Sequence, residues 1–301
     1  MEQIKRLPKN HPSNTIFRRI VGLLAAFYFF TSLIVVNFVQ MLSMVLLLFS
    51  RTAFRKFNAN CGWFWWGMTV WATRRFYGVQ VTLTGDTLPD KENVILIANH
   101  QGMTDIQVLF FLGLAKQRLG DMKFFAKDVL KWIPGLGWGA WFLDFIFLKR
   151  NWEADAAYID QSFRKFKECN IPVWLLSFLE GTRITDAKLA QSQEYARKNH
   201  LPEPKCVLVP RTKGFVASVR GLRTHLDAVY DVTIGYPEGI PSLWQWTKGL
   251  VPKIHLHTRR FSMAEMPEDP SQLAQWVRQR FVEKDLLMQE FGKLGHFPSR
   301  A

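Results

Sequence analysis

Residues 93–105 read NVILIANHQGMTD. The apolar run NVILIA reads as a buried strand, and DIQVLFFL begins a helix within a few residues of its end. His100 and Asp105 therefore stand five positions apart at a strand-to-helix junction, with small, uncharged residues between them. Junctions of this kind are held by rigid elements yet face outward, and in α/β folds they are where substrates bind. An unperturbed imidazole titrates near roughly pH 6.5, so it can take a proton at neutral pH. A carboxylate one turn away can bond the far ring nitrogen, fix the tautomer and stabilise the imidazolium. Gly102 and Thr104 allow the tight path this needs. No serine or cysteine stands nearby as a nucleophile, so the pair suggests activation of a substrate hydroxyl, without an enzyme-bound acyl intermediate. The same residues also suit a helix cap and a first-turn carboxylate serving the helix dipole.

Working outward, strand and helix patterns alternate. VQVTLTG, FIFLK, VWLLSFLE, KCVLVP, DAVYDVTIGYP and IHLHTRRF read as strands. DIQVLFFLGLAKQRLG, WEADAAYIDQSFRKFKE, TDAKLAQSQEYARKNH and QLAQWVRQRFVEKDLLMQEF read as helices. KFFAKDVLKWIPGLGWGAWF carries Pro134 and three glycines and reads as a bent or loop-broken segment, whose apolar part KWIPGLGWGAWF packs in the core, lines an apolar tunnel or enters a bilayer. The alternation predicts an α/β layered domain over 76–301. The histidines of HLH at 255–257 are alternate residues of a strand, not metal ligands.

Three further polar clusters close apolar runs. FLEGTR (178–183) follows VWLLS and brings Glu180, Gly181, Thr182 and Arg183 together. An arginine can grip a phosphate bidentately while a carboxylate takes a hydroxyl. FLKRN ends with Lys149 and Arg150, and VLVPRTKGF with Pro210, Arg211 and Lys213. Each alone is an ordinary solvated turn. Four of them at strand exits can converge on one sheet edge.

The 301 residues carry 39 Lys+Arg against 25 Asp+Glu, a net charge of +14. Ten basic residues and the single acid Glu2 lie in residues 1–75, so that quarter holds +9 of the total. Those charges bracket long apolar stretches, which suits anionic lipid better than nucleic acid. Ile20 to Ser50 is 31 residues without a charge, whereas spanning hydrocarbon takes about 20. A basic turn, RTAFRKF, leads to a second, Trp-rich apolar piece, NANCGWFWWGMTVWAT. Residues 1–75 are thus expected to be a membrane-embedded helical segment of two helices. Three scattered cysteines, Cys61, Cys169 and Cys206, without CxxC suit a reducing compartment.

In their order, NHxxxxD, FLKRN, EGTR and VPRTKGF resemble the glycerophospholipid acyltransferases, the family of 1-acylglycerol-3-phosphate acyltransferases, over roughly residues 76–235. The N-terminal two-helix element also looks like that of bacterial members. The resemblance implies that His100 is the general base and Asp105 its partner. It implies that Glu180, Gly181, Thr182 and Arg183 form the glycerol-phosphate site, and that Lys149 and Arg150 contact phosphate; Lys213 is a further phosphate contact. The acyl donor would be acyl-CoA or acyl-ACP as co-substrate, with no cofactor or metal, and the acceptor a lysophospholipid, first of all 1-acylglycerol-3-phosphate. A backbone N–H near the strand exit is the expected oxyanion donor. Since those donors are cytosolic, the domain is expected on the cytoplasmic face of the inner membrane, with the N-terminal helices as a hairpin or within one leaflet. This chain has Gly102 where the family often has Ser, and FLEGTR where it has FPEGTR. VPRTKGF and DAVYDVTIGYP look closer to the lysocardiolipin acyltransferase-like branch. A lysophosphatidylglycerol or lysocardiolipin type of acceptor is therefore an alternative, with Gly102 the first place to look for it. A non-catalytic, membrane-tethered lipid-binding protein and a lipid hydrolase using the same histidine are the rival readings.

Overall fold

The computed structural model describes residues 4–9, 11–13, 15–149 and 151–298. Helix α1 (Ile16–Leu42) tightens into 3₁₀ turns over Ser43–Leu48, and α2 (Arg51–Tyr77) returns. The Ser50 side chain caps α2 by accepting from the Ala53 amide. RTAFRKF, expected as a turn, is the first part of α2 instead; the reversal needs only Phe49 and Ser50. The next elements are β1 (Gln80–Gly85), β2 (Val94–Ala98), α3 (Thr104–Ala115), β3 (Met122–Lys127), α4 (Leu136–Phe142), β4 (Ile146–Leu148) and α5 (Trp152–Glu168). The chain continues through β5 (Trp174–Ser177), α6 (Asp186–Lys198), α7 (Thr212–Leu222), β6 (Ala228–Gly235), α8 (Leu243–Thr247), β7 (Lys253–Ser262) and α9 (Pro270–Leu294).

The strands form one sheet in the order β1-β7-β6-β2-β5-β3-β4. All neighbours are parallel except β6 and β7. Strand β2 lies at the centre, with Val94 to Ala98 at most 1% exposed. Its alternation splits the core in two. Val94, Leu96 and Ala98 pack with Trp66 and Val70 of α2 and with the almost wholly apolar α3. Ile95 and Ile97 pack against apolar stripes at helical spacing: Ile159, Phe163 and Phe166 of α5; Phe215, Val219 and Leu222 of α7; Leu273, Val277 and Phe281 of α9. Helices thus cover both faces, as a central, all-apolar parallel strand demands. Truncating such a side chain, Ile97→Ala for instance, costs roughly 2–5 kcal/mol.

Two segments differ from their sequence reading. KFFAK is strand β3, wedged between β5 and β4, with the loop-broken part starting only after Lys127. KCVLVP forms no strand. The amides of Lys205, Cys206 and Val207 go instead to Asp285 Oδ1, that of Leu208 to Glu180 and that of Val209 to Ser192. The histidines of β7 pack against rings, His255 on Phe291 and His257 on Phe297.

Helix α2 belongs to both parts of the molecule. It runs past residue 75 to Tyr77, and Trp66 stacks on Phe110 of α3. Helix α1 lies along the body, meeting α8 at Gly22 and the α4 region at Leu33 and Asn37. Its outer stripe, including Phe27, Ile34, Phe38 and Leu48, is exposed. Ile16–Leu48 is the one stretch among the described residues long and apolar enough to cross a membrane.

Candidate active site

Parallel β2, β5, β3 and β4 deliver their C-terminal ends to one edge, where the loop after β2 carries His100. Its ring is set from three sides. Nδ1 lies 2.9 Å from Asp105 Oδ2, the ring stacks on Phe178 at 4.0 Å and 17°, and the backbone N–H donates to Glu180 Oε1 at 2.7 Å. The imidazole Nε2 has no hydrogen-bond partner among the described residues.

Asp105, in the first turn of α3, is fully buried. Its Oδ2 also accepts from the amides of Gln101 (2.6 Å) and Gly102 (2.8 Å). Its Oδ1 accepts from the Tyr236 hydroxyl at 2.8 Å. Burial and the negative Asp105 beside it push the Tyr236 phenol well above its ordinary range, so it stays a donor. The amides of His100, Gln101 and Gly102 are all engaged by carboxylates. They are therefore taken up in holding the loop.

Glu180 closes the turn after β5. Gly181, at φ 69, makes that turn possible and donates its N–H to Phe178 O. The Glu180 carboxyl is 3% exposed. Its two oxygens take the amides of His100 and Leu208, the latter at 3.0 Å. It thus faces inward, joining two loops, and has protein partners in place of the hydroxyl expected of it. Burial pushes this carboxyl up to about 8, the two amide donors opposing that. Thr182 accepts a hydrogen bond from Lys188. Arg183 is exposed at the same turn, with no hydrogen bond or ion pair among the described residues.

The cation clusters do not all converge. Lys149 is exposed beyond β4, and its amide donates to Asp155 at 2.8 Å. Three strand spacings separate β2 from β4, roughly 14 Å, so Lys149 stands apart from His100; Arg150 lies outside the described residues. Lys213 is exposed at the start of α7 without a hydrogen bond among the described residues. Arg211, noted in the sequence only as one of its cluster, is the cation that reaches the Glu180–Arg183 turn. A Cβ on Gly181 would come 2.8 Å from Arg211 Nε, and the Arg211 amide donates to Leu179 O at 2.7 Å.

Sequence reading also missed Tyr236, Phe178 and the N-terminal strap. Arg6 donates to Ile184 O at 2.9 Å, and the strap pairs with Ile240. A tyrosine ending a buried strand was the one available signal for Tyr236; the others depend on contacts across the fold. Gly102 is buried, and a Cβ there would meet Ile240 at 3.3 Å and Pro241 at 3.4 Å. The departure from Ser thus faces packed protein.

The sequence matches the family model described as Acyltransferase over residues 80–236 and that described as Acyltransferase C-terminus over 248–301. It is similar to 1-acyl-sn-glycerol-3-phosphate acyltransferase 2 of Brassica napus, at 34% identity over 90% of this chain and 72% of the relative. It is also similar to 1-acyl-sn-glycerol-3-phosphate acyltransferase gamma of Homo sapiens, at 32% identity over 93% of this chain and 76% of the relative. Its fold is similar to the crystal structure of the 1-acyl-sn-glycerophosphate acyltransferase PlsC from Thermotoga maritima. That match has a TM-score of 0.51 and 21% identity, and covers 89% of this chain and 97% of the other.

Proposed function

This chain belongs to the glycerophospholipid acyltransferases of the 1-acylglycerol-3-phosphate acyltransferase type, and from that premise we propose that it acylates the sn-2 hydroxyl of 1-acylglycerol-3-phosphate to give phosphatidic acid. The observation that carries the reading is a histidine fixed through Nδ1 by a buried carboxylate, with Nε2 left without a partner among the described residues.

In this reaction Nε2 takes the acceptor's hydroxyl proton as its oxygen attacks the thioester carbon of acyl-CoA or acyl-ACP. Asp105 holds the ring through Nδ1 and stabilises the imidazolium. The tetrahedral intermediate collapses, the C–S bond breaks, and the departing sulfur regains the proton from Nε2. Both substrates are bound at once, so orientation supplies much of the rate. Arg183 and Arg211, at one turn, hold the acceptor phosphate. Glu180 positions His100 through its backbone. The exposed stripe of α1, with the exposed Trp138 and Trp141 of the neighbouring α4, rests in one leaflet, because α1 is held along the body by the α4 region and α8. The catalytic domain then faces the cytosolic side, where acyl donors are found.

Purified protein offered several lysophospholipids with acyl-CoA or acyl-ACP, with products read by mass spectrometry, tests this. Acyl transfer to 1-acylglycerol-3-phosphate is expected, with His100→Ala folded but slower by about 10²–10⁴-fold. Undiminished transfer in His100→Ala, or free fatty acid formed without acceptor, overturns it.

A further inference from the structure

On the sheet edge away from His100, a cavity of about 340 Å³ is walled by Arg55, Lys56, Asp121, Lys123 and Asp144 and by the chain entering β5 at Ile171 and Pro172. It meets the strands at their N-terminal ends. The parallel register puts Lys123 level with Leu175 and, through it, Ile95. His100 lies five residues farther on, roughly 16 Å along the strand direction. The two sites are therefore separate.

Lys123 is 3% exposed and its ammonium has no hydrogen bond or ion pair among the described residues, the Asp144 and Asp121 carboxylates attracting it only at longer range. Buried charges are ordinarily paired. The wall's two carboxylates are already matched: Asp144 by Arg55 at 3.7 Å and by Lys165, Asp121 by Arg118 at 3.0 Å. Lys56 at the rim also lacks a hydrogen bond or ion pair among the described residues. Five cations thus surround two carboxylates. Burial pushes the Lys123 ammonium below its ordinary range, a penalty that an anion beside it would relieve.

We propose that this cavity is a second anion site, taking a phosphate group between Lys123 and Lys56. Its two sources are free phosphate and a phospholipid headgroup. Access for a headgroup follows from the apolar tip at Leu48 and Phe49, 80% and 83% exposed, which lies about two helical turns before Lys56.

The test uses the full chain carrying Arg183→Ala and Arg211→Ala, so that an anion at the catalytic turn does not contribute. Inorganic phosphate binding is measured by equilibrium dialysis and thermal unfolding. Lipid binding is measured by flotation with phosphatidylcholine vesicles with and without phosphatidic acid. Lys123→Met and Lys56→Gln are each expected to weaken phosphate binding about tenfold, while Lys198→Gln, an exposed change far along the chain, leaves it intact. If phosphate alone does not bind, loss of phosphatidic acid-dependent flotation in the same two variants supports the site and makes the headgroup its ligand. Should Lys123→Met fail to fold, the surface variant Lys56→Gln decides. Equal phosphate and lipid binding in all variants, or an equal loss in Lys198→Gln, overturns the proposal.

Discussion

Asp105 takes four donors, three on Oδ2 and the Tyr236 hydroxyl on Oδ1. Removing a hydrogen bond to a buried charge costs roughly 1.5–3 kcal/mol. Tyr236→Phe keeps the ring and its packing, so kcat is expected to fall about tenfold with KM little changed; an unchanged kcat in steady-state assays would remove Tyr236 from the positioning of the pair. Glu180 gives a pH signature. Its carboxyl is raised from 4.5 to about 8, so between those values the folded protein holds a proton that the unfolded chain releases. Stability from this group therefore falls as pH rises through that window. Chemical unfolding of the native protein at about pH 5 and about pH 8 should show this fall, and Glu180→Gln should flatten it; parallel slopes refute the assignment. The pairing of His100 with Asp105 was legible because it spans five residues. Tyr236 and Arg211 were not, since their roles depend on which strands are neighbours.

At the scale of elements, the strongly patterned pieces were legible. Strand β2 declares itself by its apolar run, and α5, α7 and α9 carry apolar stripes that the sheet's second face requires, although α7 was hidden behind the cations that precede it. What the pattern could not separate was a strand from a loop satisfied by side chains. VLVP has strand composition, but its neighbour is a set of carboxylate and hydroxyl acceptors. Strand β3 was obscured for the opposite reason, by the proline and glycines that follow it. The docking of α2 rests on a close approach that sequence gives no hint of. A Cβ on Gly120 would come 2.3 Å from the Ala59 carbonyl oxygen. Backbone cannot yield as a side-chain tip can, so Gly120→Ala is expected to cost about 1–3 kcal/mol. A thermal midpoint equal to that of the native protein would show that α2 can shift without loss.

Across the whole molecule, the C-terminal helix is tied to His100 by carboxyl groups. Asp285 of α9 collects the amides of residues 205–207. The next amide, Leu208, goes to Glu180 Oε2, and Glu180 Oε1 holds the His100 amide. This path runs from the segment matching the C-terminal family model to the loop that carries His100. Asp285→Asn preserves size but turns one acceptor oxygen into an NH₂ group, and rotating the amide moves that conflict without restoring the charge. With three backbone donors affected, roughly 3 kcal/mol of stability is expected to be lost. Activity separates the path from mere packing. Slackening at residues 205–208 should lower kcat about tenfold while KM for the acyl donor stays put, because no donor contact is removed. A destabilised variant with native kcat, assayed well below its unfolding midpoint, would show that the C-terminal helix stabilises the fold without positioning His100.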